Sequence, residues 1–311
     1  MSSAGSGNGE IRAGEGRDAE NIRVWAGAVS SSSRLAGLLT AASLASMRQA
    51  HRAASVIAAF CGSIFLLFLV APIFRLIGAG GVGGVHALFT DHELRSSLAL
   101  TAVTATSATA LAILGGTPLA YLLERRHFRG RAALAAVIDL PLLIPHPVAG
   151  IALLLVLGRQ SVVGGSLLDL GIRIVGSPLG IVCAMLFVSA PLYVSATREA
   201  FARVDTRYEA VARSLGDPAW RAFRRVTLPL SARGLIAAGV VAWARCVSEF
   251  GAIVILTYNP KVASVLSYDR FTSFGLNEAL PVAAVLALLA FVPLFALRGL
   301  RASRGGAAFL Q

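Results

Sequence analysis

Lysine is almost absent from these 311 residues: Lys261 is the only one, and Pro260 precedes it. A P-loop needs a lysine directly after a glycine, where its ammonium reaches the nucleotide phosphates. The chain therefore carries no P-loop, is not read as an enzyme, and leaves any ATP chemistry to a partner. Charge of either sign is scarce, at 14% of residues against 56% hydrophobic ones, and the mean hydropathy of +0.73 is far from that of a soluble globular chain. The three cysteines, Cys61, Cys183 and Cys246, all fall in apolar stretches. That excludes a disulfide framework and predicts free, buried thiols. No His/Asp cluster or nucleophile–base pair stands on the apolar segments, so the catalytic and metal-ligating sets are both read as none. No basic domain with interleaved aromatics is present, which argues against nucleic acid as a partner. Nor is there an internal repeat, whereas a secondary transporter predicts matching broken helices in two halves.

Long apolar runs are what the chain has. They lie at about 53–77, 96–123, 132–157, 174–197, 230–258 and 280–297. A membrane crossing needs roughly 20 residues, so these runs predict an all-α membrane protein with six transmembrane helices. Domain boundaries follow: a disordered, basic leader over 1–52, a transmembrane domain over 53–298 and a short tail over 299–311. In the leader, 1–34 is rich in Gly, Ser and charge, and a short basic lead from Met47 runs directly into the first span. The loops at 124–133 and 198–228 and the stretch 298–311 carry fourteen arginines, against five Lys or Arg in the loops at 78–95, 158–173 and 259–279. Cytoplasmic loops hold the excess of positive charge, which predicts a multi-pass protein of the cytoplasmic membrane with both termini in the cytoplasm. The net charge of +12 is then mainly topological.

The spans differ in texture. The first, "AASVIAAFCGSIFLLFLVAPIF", is rich in Leu and Phe and suits a lipid-facing position. The second is rich in Ala, Thr, Ser and Gly, whose small side chains let helices approach closely, so it belongs inside the bundle. The third holds Pro141, Pro145 and Pro147 in "IDLPLLIPHPVAGIALLL". Each proline removes a backbone donor and crowds the preceding turn, so this helix must bend or break. Within a bilayer such a break is tolerated where protein or a water-filled cavity surrounds it. Asp139 and His146 share the stretch. His146 has two open readings, a donor to a passing anion or a partner for a freed carbonyl. Ser248 and the amides around Gly251 also suit an anion, although serine equally serves as interhelical glue. Arg245 and Glu249, four residues apart, are expected to neutralise one another. Pro145, His146, Pro147, Ser248, Glu249 and Gly251 are the candidate path or gate residues.

Between the fourth and fifth spans lies a charged insert, "YEAVARSLGDPAWRAFRRVTLPLS". Phe201, Val204, Tyr208, Val211 and Leu215 recur at helical spacing and predict one amphipathic helix. Gly216 supplies its stop, Asp217 the next N-cap and Pro218 the first position of a second helix, which runs to Leu228 before Pro229 opens the next span. The product is a helix–turn–helix elbow. By itself it predicts only a docking feature or a helix lying on lipid.

This stretch resembles the cytoplasmic loop of prokaryotic ABC importer permeases, with its Glu-Ala-Ala, three residues, Gly, nine residues, Ile-x-Leu-Pro signature. Ala210, Val211 and Ala212 stand at the triplet, Gly216 at the glycine, and Val226 with Leu228 and Pro229 at the close. Ala210 departs from the family's glutamate. Glu209 stands one residue earlier, about 100° away around a helix. The runs "DLPLLIPHPVAGIALL" and "WARCVSEFGAIVIL" extend the resemblance to the molybdate/tungstate branch over about residues 60–297, with sulfate permeases less similar. The resemblance implies a homodimer carrying a tetrahedral oxyanion, with an ATP-binding subunit dimer below and an extracytoplasmic oxyanion-binding protein docked above, chiefly on 259–279. It implies no cofactor in this chain, with ATP and Mg held by the partner ATPase. The implied coupling residues are Glu209, Ala210, Val211, Ala212, Arg213, Leu215, Gly216, Asp217, Pro218, Leu228 and Pro229. Sulfate is the alternative cargo.

Overall fold

The structure is a computed structural model that describes residues 54–302, and the leader and most of the tail lie outside the described residues. The described chain falls into two units divided after Pro72. In the first, 54–72 is the opening part of one helix, α1 (Ala54–Thr90), and its large apolar side chains, such as Phe60, Phe65 and Phe68, are exposed. That suits a lipid-facing helix, and Cys61 is exposed with them rather than buried as expected.

The second unit begins with the remainder of α1 and is helical in every regular element described. Gly78 to Gly84, expected as a loop, continue the helix as far as Thr90. The reason is packing. A Cβ on Gly80 would come within 2.4 Å of Leu280 O, and one on Gly84 within 2.8 Å of Pro281 O. These glycines, one turn apart, let two backbones touch, and that need outweighs their poor helix propensity.

Asp91 caps α2 (His92–Arg125) by accepting from Leu94 N at 3.0 Å. α2 packs along α6 (Pro178–Ala202), and α6 along α9 (Leu228–Val247). Small residues set these contacts. Gly116 lies under the ring of Tyr193, and a Cβ on Gly234 would sit 2.5 Å from Ala200 Cβ. Thr101, Thr104 and Thr109 return their hydroxyls to carbonyls of their own helix, at 2.7 Å each, so they are buried without an unsatisfied donor. The core gathers Ala105, Ala108, Ile181, Ala184, Met185, Val188 and Cys246.

Among the described residues five helices are long and apolar enough to cross a membrane; the third expected span, 132–157, is a bent pair. α3 (Arg131–Leu143) and α4 (His146–Leu157) meet at 114°. Neither reaches the roughly 20 residues of a crossing. Pro145 and Pro147 open α4, where missing N–H groups cost nothing, while Pro141 is accommodated inside α3. The fifth expected span is also interrupted: α9 stops at Val247, and α10 (Gly251–Leu256) follows after a three-residue break. Nothing in the run "CVSEFGAIVIL" carries a proline, which is why periodicity reads through it. Two short helices, α5 (Val162–Asp169) and α11 (Ala263–Phe274), lie at the end opposite the arginine-rich loops. α12 (Leu276–Leu289) and α13 (Phe291–Ala302) complete the unit.

Candidate functional site

The two breaks meet. A Cβ on Gly251, at the start of α10, would lie 2.7 Å from His146 Cβ and 3.1 Å from Pro147 Cδ. One on Gly150 would lie 2.8 Å from Ala252 O. Glycine at both places allows α4 and α10 to touch backbone to backbone. Pro145, His146, Pro147, Ser248, Glu249 and Gly251 are thereby gathered at one junction, although a hundred residues separate the two runs.

One cation organises the junction. Arg245 Nη2 lies 2.7 Å from Glu249 Oε2 and 2.6 Å from His146 Nε2, and Nη1 donates to Ser248 Oγ at 3.3 Å. Arginine can only donate, so the imidazole accepts at Nε2. The ring partner of His146 is the Arg245 guanidinium and not a freed carbonyl. The expected Arg245–Glu249 pair is present, but not on one continuous helix. Arg245 lies in the last turn of α9, whereas Glu249 Oε1 accepts from Ala252 N at 2.9 Å and so closes the first turn of α10. Only 1% of the Glu249 side chain is exposed against 21% of Arg245. Ser264 of α11 donates to Glu249 O at 2.7 Å, fixing the break from a third side. Ser248 is exposed. Asp139 lies elsewhere and accepts from Ser195 of α6 at 3.2 Å.

The elbow occupies the arginine-rich end. It differs from the expected single helix because α6 ends at Ala202 and Asp205 caps a separate α7 (Thr206–Ser214), accepting from Arg207 N at 2.8 Å. Phe201 and Val204 therefore belong to the end of α6 and the turn after it, where Arg125 donates to both carbonyls at 3.1 and 2.8 Å. Gly216 has φ +98°, the left-handed stop that its position requires. Asp217 is not the next N-cap. Its carboxylate lies 3.4 Å from both Arg221 and Arg225, and Pro218 takes the cap position of α8 (Ala219–Ala222). The second helix does not end before Pro229 either. A π turn at Phe223–Thr227 joins α8 to α9, giving one helix over Ala219–Val247. Widening that turn relieves the clash between the Pro229 ring and the preceding carbonyls, so the helix passes a proline that reads as a start.

The elbow has two chemically distinct faces. Tyr208, Val211, Leu215 and Trp220 are all more than half exposed, and Ala210 and Arg213 are exposed beside them. Glu209 turns the other way. Tyr121 Oη donates to its Oε2 at 3.0 Å, the Thr227 hydroxyl donates to Oε1, and Arg125 Nε lies 3.1 Å from Oε1 as an ion pair without hydrogen-bond alignment. Tyr121, Phe201 and Phe223 pack ring to ring behind it, with centroids 4.5 to 6.1 Å apart. Sequence reasoning missed Tyr121, Arg125 and Thr227, counting Arg125 only as topological charge. The available signal was Glu209 itself, an acid at a position that the helical stripe through Tyr208 and Val211 leaves facing the protein.

At the opposite end, Arg270 of α11 binds Asp91 at 2.6 Å and Glu93 at 3.2 Å, and Lys261 binds Asp269 at 2.6 Å. The bond from Lys261, aided by one from Tyr258, holds the Asp269 carboxyl below its usual range, and Asp269 in turn raises Lys261. Burial works against the charge of Asp91, but the Leu94 amide and Arg270 outweigh it and keep that pKa low. No group of three or more metal-ligating side chains occurs among the described residues.

Residues 116–302, which hold the elbow and both breaks, match the family described as binding-protein-dependent transport system inner membrane component. The chain belongs to this permease family. Among its relatives, the molybdate/tungstate transport system permease protein WtpB of Thermococcus kodakarensis is 40% identical over 205 residues, 66% of this chain and 76% of that one. WtpB of Pyrococcus abyssi is 36% identical over 72% of this chain and 86% of its own. A probable sulfate transport system permease protein of Nephroselmis olivacea is more distant, at 30% over 76% and 86%. Among solved structures, a bacterial ABC transporter involved in the import of the acidic polysaccharide alginate aligns with TM-score 0.59 and 20% identity, over 79% of the permease and 94% of that chain. The same kind of transporter in complex with an alginate pentasaccharide-bound periplasmic protein gives 0.58 and 20%, over 78% and 92%. At that identity the likeness speaks for the fold alone, the all-helical, multi-helix architecture of such transporters.

Proposed function

We propose that this permease carries a tetrahedral oxyanion, molybdate or tungstate, into the cytoplasm, driven by ATP hydrolysed on a partner. The observation that carries the reading is the 40% identity to a molybdate/tungstate permease over 205 residues, 66% of this chain. The junction adds a chemical argument. Arg245 and Ser248 expose donors at a place flanked on both sides by membrane-length helices, and ionisable groups at that depth face a bundle interior or a water-filled cavity. A second copy of the chain would supply the other wall, so the transporter is read as a homodimer. The arginine-rich end is assigned to the cytoplasm by its charge, and the exposed apolar face of Tyr208, Val211, Leu215 and Trp220 is where two ATP-binding subunits dock. ATP and Mg belong to those subunits, and the extracytoplasmic binding protein docks at the Arg270 end. Selectivity rests largely with that binding protein, because a tight site in the pathway would slow release.

Uptake into proteoliposomes holding the permease with its ATPase and binding protein tests this. ATP-dependent uptake of molybdate and tungstate, undiminished by excess sulfate, is expected. Uptake of sulfate alone would move the protein to the sulfate branch, and uptake independent of ATP would overturn the reading.

A further inference from the structure

The coupling element of an importer needs two things: a surface that the ATPase grips, and a connection that carries its motion into the membrane helices. We propose that Glu209 is the connection and takes no part in the grip. This inference rests on the permease reading above.

Three observations point to it. First, Glu209 lies on the inward side of α7; its side chain is 14% exposed, while Tyr208 and Val211 on the same helix and Leu215 just after it are 58–83% exposed. Second, its carboxylate joins three separate helices through polar side chains. Tyr121 and Arg125 reach it from α2, Thr227 reaches it from the π turn that continues into α9, and Glu209 itself belongs to α7. Apart from the turn at 215–218, α7 has few other polar ties to the bundle, and its neighbour Ala210 offers the outside no charge. Third, the π turn serves this contact. The extra residue in that turn brings Phe223 and Thr227 to the inner side together, both buried, so that the Thr227 hydroxyl meets Glu209 while Phe223 packs on Tyr121. π turns of this kind recur at functional positions.

The mechanical consequence is specific. α9 leads without a break from Thr227 to Arg245, the cation of the junction. A displacement of α7 by the ATPase is therefore passed at Glu209 to two levers at once, α2 and α9, and α9 ends at the paired breaks. Glu209 is a positioning residue: it touches no substrate and no nucleotide. Without it α7 can still be gripped but moves alone.

The experiment measures two quantities in reconstituted transporter: ATP hydrolysed in the presence of loaded binding protein, and oxyanion taken up. Glu209→Ala should retain the ATPase on co-purification, yet the ratio of uptake to hydrolysis should fall by about tenfold, what one charge-assisted hydrogen bond is worth in an equilibrium. Tyr121→Phe and Thr227→Val remove one bond each and leave the charge, so they test the same contact should Glu209→Ala misfold. Each should lower the ratio less, and Thr227→Ser should restore it. A double variant, Tyr121→Phe with Thr227→Val, should approach Glu209→Ala. If Glu209→Ala loses the ATPase while the remaining complexes keep the wild-type ratio, Glu209 is part of the grip and the proposal fails. Wild-type ratios in the two conservative variants would also overturn it. Failure of the permease reading looks different: wild-type protein would then show no ATP-dependent uptake at all.

Discussion

A carboxylate with 1% of its side chain exposed is stable only while its cation stays close, and at Glu249 that cation is Arg245 at 2.7 Å. Breaking such a pair leaves a buried or half-buried charge without compensation, whereas removing both partners does not. Glu249→Gln keeps an oxygen for the Ala252 amide and deletes only the charge. Arg245 would then rest on His146 and Ser248 alone, free to attract and retain a passing anion. Initial uptake rates should fall by roughly tenfold through slow release, with the binding protein's own affinity unchanged. Arg245→Gln combined with Glu249→Gln should recover part of the loss; a double variant no faster than the single one would show that pairing is not the role of Glu249. The spacing of four residues made this pair legible in the sequence. The contact to His146 was not, because it joins positions 99 apart and depends on how two broken helices cross.

Among the elements, prolines announced one break and nothing announced the other. α3 and α4 part where Pro145 and Pro147 forbid continuation. α9 and α10 part at Ser248 to Phe250 because Glu249 caps the amide of Ala252 and Ser264 takes the Glu249 carbonyl, a preference created by tertiary neighbours. The stretch from Gly78 to Gly84 misled in the opposite sense: glycines that read as a loop are helical contact points. Close approach also makes α4 and α10 intolerant of volume. Gly251→Ala forces a methyl group to 2.7 Å from His146 Cβ, so the breaks must separate or the ring must move. A cost of about 1–3 kcal/mol is typical of overpacking. The melting temperature in detergent should drop, and Ser248→Ala, which adds no volume, should leave it near wild type.

The charged cluster that ties α11 to the start of α2 makes a pH prediction with a definite sign. Asp269 is held below its ordinary 3.8, so its contribution is present above that value and is lost only as pH falls further, through the lowered pKa. Lys261 is raised above 10.5, so its contribution is complete below that value and is lost as pH rises past it, through the raised pKa. Hydrogen exchange of the α11 amides should therefore be flat, after correction for the intrinsic rate, from about pH 5 to 9. Lys261→Met should raise exchange across that window. A step near neutrality would mean that another group controls this end.

At the scale of the whole molecule, the sequence states the class through its six apolar runs and its arginine asymmetry, and the elbow through Gly216 and the residues around it. What it cannot state is which exposed surfaces meet lipid and which meet water, since both read as exposed side chains in a single chain. The junction and the outer face of α2 make that contrast testable. Ser248 is exposed beside Arg245, whereas Leu114 is 73% exposed among apolar neighbours in the middle of α2. If a second copy encloses a water-filled path along the junction, Ser248→Cys in the assembled transporter should react with a charged, membrane-impermeant thiol reagent, and Leu114→Cys should not. Cys61 is exposed and must first be replaced by alanine, while Cys183 and Cys246 are half-buried and buried and can remain. The thiolate is the reactive form, and a thiol facing hydrocarbon keeps its proton and stays inert. Loaded binding protein and ATP should change the rate at Ser248→Cys if α9 carries the motion of the elbow to the breaks. Labelling at Leu114→Cys with none at Ser248→Cys would place the pathway on another face and remove Arg245 from it.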